Sequence, residues 1–220
     1  MIYRVQLIKG LFRSKDSFYR LDHAEEIRGL WTRISLLIII STALYFLSGL
    51  LGIQSESVSI HLADSSTAEI QGQKILFAVG SAIWGLFYPL FILFLSALLF
   101  WTFLEVDFRK LLVLQSLVYV IYLIEFCLSI FLNVTLAIPR DSSPFSLGVL
   151  AQYVTDNELV TSLFSFMTLF QVWAILLQYT FLKQNSEKKT RFVLVLILTI
   201  TIVYWLFSTL FTSIHVDRLF

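Results

Sequence analysis

The sequence predicts an all-α, polytopic membrane protein with five transmembrane helices and an N-terminal amphipathic cytoplasmic segment. Of its 220 residues, 58% are hydrophobic and only 14% are charged, whereas soluble domains average roughly 45–50% and about 25%. Five apolar stretches have about the 20 residues that a spanning helix needs. The 16 basic and 15 acidic residues nearly cancel, and there is a single cysteine. Nucleic-acid binding, an intrachain disulfide and a cysteine-based metal site are therefore excluded.

The five predicted spans form one transmembrane domain over residues 34–213, followed by a short outer tail at 214–220. They cover residues 34–53, 75–103, 111–132, 159–182 and 192–213. The second span exceeds the bilayer core and carries Pro89 near its centre, which predicts a kink. The pairs Ser48-xxx-Gly52 and Ser81-xxx-Gly85 predict close helix packing inside the bundle rather than dimerisation.

Residues 1–33 predict two short amphipathic helices at the cytoplasmic interface. Apolar residues such as Ile8 and Leu11 recur at helical spacing among basic ones, which is typical of a segment that contacts anionic lipid. Asp22 followed by Glu25 resembles a capping box and predicts the start of the second helix.

The distribution of lysine and arginine predicts the orientation. Seven basic residues precede the first span, and the later connections hold one, two, one, four and one. Because basic residues accumulate on the cytoplasmic side, we expect the N-terminus in the cytoplasm and the C-terminus outside. The high content of Phe and Ile and the absence of a eukaryotic sorting motif favour a bacterial plasma membrane. The basic residues at this side are expected to contact lipid or a partner: Arg4, Lys9, Arg13, Lys15, Lys188, Lys189 and Arg191.

Glu125 is the one clearly ionisable residue inside a predicted span. Because such residues are costly in a bilayer, it defines a candidate polar site together with Gln115, Thr168, Gln171 and Gln178. Gln115 and Gln178 each lie four residues inside the cytoplasmic end of a span, so we expect them to hydrogen-bond. Two interpretations of Glu125 stay open. It is a proton or cation site or an anchor for a partner helix, or it is a neutral acid bonded to Thr168, Gln171 or a tyrosine.

The sequence contains no catalytic motif that we can recognise. HExxH, GxSxG and GxxxxGK[ST] are all missing, and the three histidines are scattered. We therefore expect no enzymatic activity, no cofactor and no metal site.

The chain resembles the Yip family of Ypt/Rab-interacting membrane proteins, in particular its YknW-like bacterial branch. The resemblance rests on a basic arm with the segment Gly10-Leu11-Phe12-Arg13-Ser14-Lys15-Asp16-Ser17-Phe18, on five spans, and on a Phe-x-x-Trp-x-x-x-Leu stretch from Phe170 to Leu177 before a basic turn. It implies a non-enzymatic accessory protein. A bacterial member of similar size is encoded beside an efflux-type ABC transporter that protects against a toxic peptide.

The leading expectation is an accessory or scaffold protein that binds or helps to assemble another membrane complex, such as that transporter. Two alternatives remain. One is a small secondary transporter or permeability protein that uses Glu125 as its coupling group. The other is a stand-alone immunity protein against a peptide toxin.

Overall fold

The computed structural model describes residues 2–12, 14–53, 67–138, 142–155 and 157–213. This part of the chain is mainly helical. The helices are α1 (Leu7–Phe12), α2 (Ser14–Asp22), α3 (Leu30–Leu50), α4 (Thr67–Leu90), α5 (Ser96–Leu104), α6 (Phe108–Leu136), α7 (Gly148–Gln152), α8 (Glu158–Ser165), α9 (Leu169–Asn185) and α10 (Thr190–Ser213). A π-helical segment, Phe91–Leu95, joins α4 to α5, and two strands, β1 (Ile2–Arg4) and β2 (Glu26–Arg28), form a parallel pair.

Four helical stretches are long and apolar enough to cross a membrane. They are Leu30–Leu50, Gln71–Leu104, Phe108–Leu136 and Thr190–Thr209. The predicted span at 159–182 is divided instead into α8 and α9, each shorter than the roughly 20 residues of a full crossing. The chain is therefore a helical membrane protein by length and composition, but five continuous spanning helices are not confirmed.

Helix α6 is the core of the bundle. Every residue from Leu111 to Tyr119 is buried, on all sides of the helix. It contacts α1, α3, α5 and α9. A helix that is apolar all round can be stable in this way only when neighbours cover every face.

The N-terminal arm, residues 2–28, folds onto the end of the bundle where α6 begins. Gly10 of α1 lies against Leu117, where an added Cβ would come within 3.0 Å of a Leu117 methyl carbon. The fully buried Phe18 ring packs edge-on against Phe181 of α9, with centroids 5.0 Å apart. Lys110 of α6 donates to the Asp22 carbonyl. The arm is thus part of the packed core.

The expected helix start at Asp22 is wrong. Helix α2 begins at Ser14 and ends at Asp22, and the chain then continues into β2. The physical reason is that Lys110 Nζ donates a hydrogen bond to the Asp22 carbonyl and forms an ion pair with the Asp22 carboxylate at 3.7 Å. Strand β2 pairs with β1 in the register Ile2↔Glu26, and α3 begins only after Gly29, whose φ is 78°.

Helices α3 and α4 pack at very short range. A Cβ on Gly85 would lie 2.6 Å from the Tyr45 Cβ, and one on Gly49 would lie 2.6 Å from the Ala78 Cα. Small residues therefore serve packing inside the bundle, as predicted for Ser81-xxx-Gly85. On α3 the close approach falls at Gly49, because Gly52 lies beyond the end of the helix.

Candidate functional site

Polar side chains from six of the helices lie near the middle of the bundle. We call this set the midplane polar layer, and it consists of Ser41, Tyr88, Ser96, Tyr119, Tyr122, Glu125, Gln171 and Tyr204. Ser41 lies about 16 Å along α3 from Leu30, and Tyr122 lies about 16 Å along α6 from Leu111. Since the hydrocarbon core is about 30 Å thick, both residues lie near mid-depth.

The first part of this layer compensates for Pro89. A proline inside a helix has no N–H, so the carbonyl four residues earlier, that of Gly85, loses its helical donor. The buried Ser41 hydroxyl donates to that carbonyl at 2.8 Å. Its oxygen lies 2.7 Å from the Tyr119 hydroxyl. Because Ser41 has one hydrogen to give, Tyr119 must be the donor to Ser41, and this chain of bonds joins α3, α4 and α6.

A π-helical segment follows Pro89, the residue at which the sequence predicts a kink. Just beyond this segment, the Ser96 hydroxyl lies 3.1 Å from the Tyr204 hydroxyl of α10. Single π-helical turns within α-helices are frequent at functional sites.

Helices α6 and α9 are joined by two hydrogen bonds that fix their direction. The Gln178 amide donates to Gln115 Oε1 at 3.3 Å, as predicted, and the Tyr122 hydroxyl donates to Gln171 Oε1 at 3.2 Å. The partners are two turns apart on each helix and run in opposite order, so the helices are antiparallel. Gln115 is fully buried, and its Nε2 has no hydrogen-bond partner within the described residues.

Helix α9 begins at mid-depth rather than at the membrane surface. The Thr168 hydroxyl accepts from the Gln171 backbone N–H at 3.2 Å and caps the helix. The backbone of the break pairs with an earlier segment: Leu147 N–H donates to the Met167 carbonyl at 3.0 Å, and Leu169 N–H donates to the Phe145 carbonyl at 3.1 Å. Unpaired backbone is very costly inside a bilayer, and this pairing satisfies it.

Sequence reasoning missed this break. It placed Thr168 on a continuous helical stripe, whereas α8 ends at Ser165. The available signal was Thr168-Leu169-Phe170-Gln171, which has the spacing of a capping box. It was overlooked because the surrounding run is apolar enough for a full span.

Glu125 is half-buried and lies one turn beyond Tyr122 on α6. Since Tyr122 is paired with Gln171, the antiparallel register puts Glu125 at the level of Thr168. Its backbone carbonyl accepts from the Ser129 hydroxyl at 3.0 Å. Of the predicted partners, Thr168 and Gln171 each already accept a hydrogen bond from another group. The arrangement thus places one acid at the same depth as the N-terminus of a half-helix.

The predicted basic residues form two groups at the end of the bundle where α6 begins. Arg4 and Lys9 are exposed on the arm, and Lys188, Lys189 and Arg191 are exposed on the turn between α9 and α10. Arg13 and the side chain of Lys15 lie outside the described residues.

Lys188 forms an ion pair with a residue of a nearby turn. Lys188 Nζ donates to Glu105 Oε1 at 2.8 Å. This hydrogen bond and the lysine charge lower the pKa of the Glu105 carboxyl from its ordinary value. The pair ties the α9–α10 turn to the turn between α5 and α6.

Within the described ranges, no three His, Cys, Asp or Glu side chains are grouped closely enough to hold a metal ion. No family model, curated protein or solved structure matches the chain. The fold and the site together define a helical membrane protein with a folded N-terminal arm and a polar layer at mid-depth.

Proposed function

We propose that this chain is a non-enzymatic accessory protein of the membrane that binds a partner membrane complex and helps to assemble it. The chain is a five-pass protein of the Yip type, with its N-terminal arm in the cytoplasm of a bacterial cell and its C-terminus outside. The partner is an integral membrane complex, such as an efflux-type ABC transporter for a toxic peptide.

The docking of the arm onto a densely packed half-bundle supports this proposal best. Nine consecutive residues of α6, Leu111 to Tyr119, are buried, and the rings of Phe18 and Phe181 close the contact between arm and bundle. Side chains packed in this way leave little room for water. A densely packed cytoplasmic half of the bundle, with the arm fixed against it, suits the binding of a partner better than the passage of a solute.

The exposed basic turn offers a surface for the partner. Lys189 and Arg191 make no ion pair among the described residues, and the Lys188–Glu105 pair holds the turn in place. Unpaired cations at a rim steer a partner with acidic cytoplasmic loops and set the salt dependence of the complex.

The proposal is tested by affinity purification of a C-terminally tagged copy, expressed at native level and extracted in mild detergent. We expect a membrane complex at near-equal amounts by mass spectrometry. Lys189→Gln with Arg191→Gln lowers that recovery at unchanged membrane abundance, whereas the control Arg33→Gln with Lys74→Gln, which removes the same charge elsewhere, does not. Recovery of the protein alone contradicts the proposal.

A second candidate function is supported by the break at Thr168. Half-helices that begin at mid-depth line substrate and ion sites in secondary transporters, and Glu125 lies at this level as the coupling acid. This hypothesis expects a pH-dependent flux in proteoliposomes that disappears in Glu125→Gln. An absence of flux for a panel of cations and small metabolites refutes it.

A further inference from the structure

The N-terminal arm contains a pocket that sequence reasoning did not predict. It forms because β1 and β2 pair side by side, which brings the two ends of the arm together over α1 and α2. The pocket has a volume of about 420 Å³, within the range of small-ligand sites. We call it the arm pocket, and its polar lining includes Tyr3, Arg4, Lys9, Asp16, Arg20 and Arg28.

The charge of the arm pocket is strongly positive. Four cationic side chains line it against one carboxylate, that of Asp16. Among the residues that the structure describes, Arg28 is the one of these four with an acidic partner, Glu26, at 3.1 Å. The other three cations, Arg4, Lys9 and Arg20, form no ion pair within the described residues. Asp16 and Glu26 together offset two of the four positive charges, and the positive charge that remains favours an anion.

The strand register adds an independent reason to expect an anion. Arg4 stands opposite Arg28 in the ladder, and like charges placed opposite each other destabilise a strand pair. A phosphate between them relieves that repulsion, because guanidinium groups bind phosphate oxygens through paired hydrogen bonds. The hydroxyls of Tyr3 and Ser17, 2.6 Å apart at the same wall, supply further polar contacts.

The helix that carries Lys9 also has an apolar edge. Ile8 is 73% exposed and Phe12 is 76% exposed, one turn apart on α1. A basic helix with such an edge lies in the membrane interface, with its apolar side chains at the acyl boundary and its cations at the level of the headgroups. The arm pocket therefore opens where phosphate groups of lipids are concentrated.

We infer that the arm pocket binds the phosphate group of an anionic ligand, supplied by the headgroup of an anionic phospholipid. Arg4 and Arg20 hold the phosphate oxygens, and Lys9 adds charge at the rim. This site is separate from the partner surface proposed above and does not depend on it.

The inference is tested on the purified full-length protein in a neutral detergent. Binding of dioctanoyl phosphatidylglycerol, dioctanoyl phosphatidylcholine and inorganic phosphate is measured by isothermal titration calorimetry. We expect phosphatidylglycerol to bind at least about tenfold more tightly than phosphatidylcholine, whose choline cation the pocket repels. Arg4→Gln with Arg20→Gln weakens the binding of phosphatidylglycerol at least about tenfold, since the loss of even one charge-assisted contact has an effect of about that size.

Two controls separate this effect from misfolding and from general charge. Arg33→Gln with Lys183→Gln removes the same charge outside the arm pocket and changes affinity by less than about twofold, since screened surface charges contribute little. Arg4→Lys keeps the charge but loses the paired hydrogen bonds, so it binds more weakly than the wild type and more tightly than Arg4→Gln. The thermal unfolding of each unliganded variant shows that the fold is kept.

Equal affinity for the two lipids, or equal binding by the wild type and the double arginine variant, overturns the inference. If inorganic phosphate binds as tightly as phosphatidylglycerol and displaces it, the phosphate site stands. Its source is then the soluble ion, and the assignment to a lipid headgroup is wrong.

Discussion

Replacing Ser41 with alanine removes the hydroxyl that connects three helices. In Ser41→Ala, the Gly85 carbonyl loses its donor and the Tyr119 hydroxyl loses its acceptor. Both groups are buried, since Gly85 is buried and Tyr119 is 1% exposed. The Gly85 carbonyl cannot return to the helix, because Pro89 has no N–H to offer.

The expected cost follows from the two lost bonds. Hydrogen bonds between membrane helices contribute about 0.6 kcal/mol on average and up to about 1.7 kcal/mol. Leaving a buried polar group unsatisfied costs about 1–3 kcal/mol. We therefore expect Ser41→Ala to lower the free energy of unfolding by about 1–3 kcal/mol.

The assay is reversible unfolding in mixed micelles, followed by tryptophan fluorescence as the fraction of dodecyl sulfate rises. The adjacent Thr42→Val is a matched control, because the Thr42 hydroxyl donates to the Ile38 carbonyl of its own helix, at 2.9 Å, and bonds to no other helix in the described part of the chain. That carbonyl keeps its helical N–H donor when the hydroxyl is lost. We expect a change below about 0.5 kcal/mol for Thr42→Val.

A double-mutant cycle tests the reason for the effect. Pro89→Ala restores an N–H that can donate to the Gly85 carbonyl, so Ser41→Ala should cost less in that background. The difference between the two backgrounds is expected to be about 0.5–1.5 kcal/mol, the value of one hydrogen bond. An identical cost in both backgrounds refutes the claim that Ser41 compensates for the proline.

Gly85→Ala forces a Cβ to within 2.6 Å of the Tyr45 Cβ, and we expect a loss of about 1–3 kcal/mol in the same unfolding assay. Gly80→Ala meets no atom within 4 Å, so it is the matched control and should be neutral or stabilise by up to about 1 kcal/mol. Lys188 lowers the pKa of Glu105 from 4.5; its stabilisation is therefore present above that value and lost as the pH falls through the folded-state pKa. Glu105→Gln should lower the midpoint of thermal unfolding at pH 7, and a difference from the wild type that persists at pH 3 would contradict the pairing.

Hydropathy and residue type predicted those parts of the fold that depend on one segment at a time. The spans that became α3, α6 and α10 were visible because a spanning helix needs only a long apolar run. The Gln115–Gln178 bond was predictable as well, since each residue has a defined depth from its own end of a helix. Four of the five predicted spans therefore correspond to helices that are long enough to cross a membrane.

The features that sequence reasoning missed depend on contacts between distant segments. The break before Thr168 is stable only because residues 145–147 pair with its backbone, and no local pattern encodes that pairing. The β1–β2 pair likewise joins residues more than 20 positions apart, and each strand is only three residues long. Because the arm pocket is made by this pairing, its cations did not stand out from the other basic residues of the arm.

The account holds that the protein acts by binding and that water does not pass through it. Glu125→Cys in a Cys127→Ser background measures this directly, by labelling with a membrane-impermeant maleimide in intact cells and in inverted vesicles. The wild type is the control, because its native Cys127 lies two residues further along α6 and is exposed on the surface of the chain. Cys127 thus reports a lipid-facing position at about the same depth. The account predicts that neither cysteine is labelled from either side at neutral pH. Rapid labelling of the cysteine at position 125 alone would reveal a water path to the midplane polar layer and contradict the account in favour of transport.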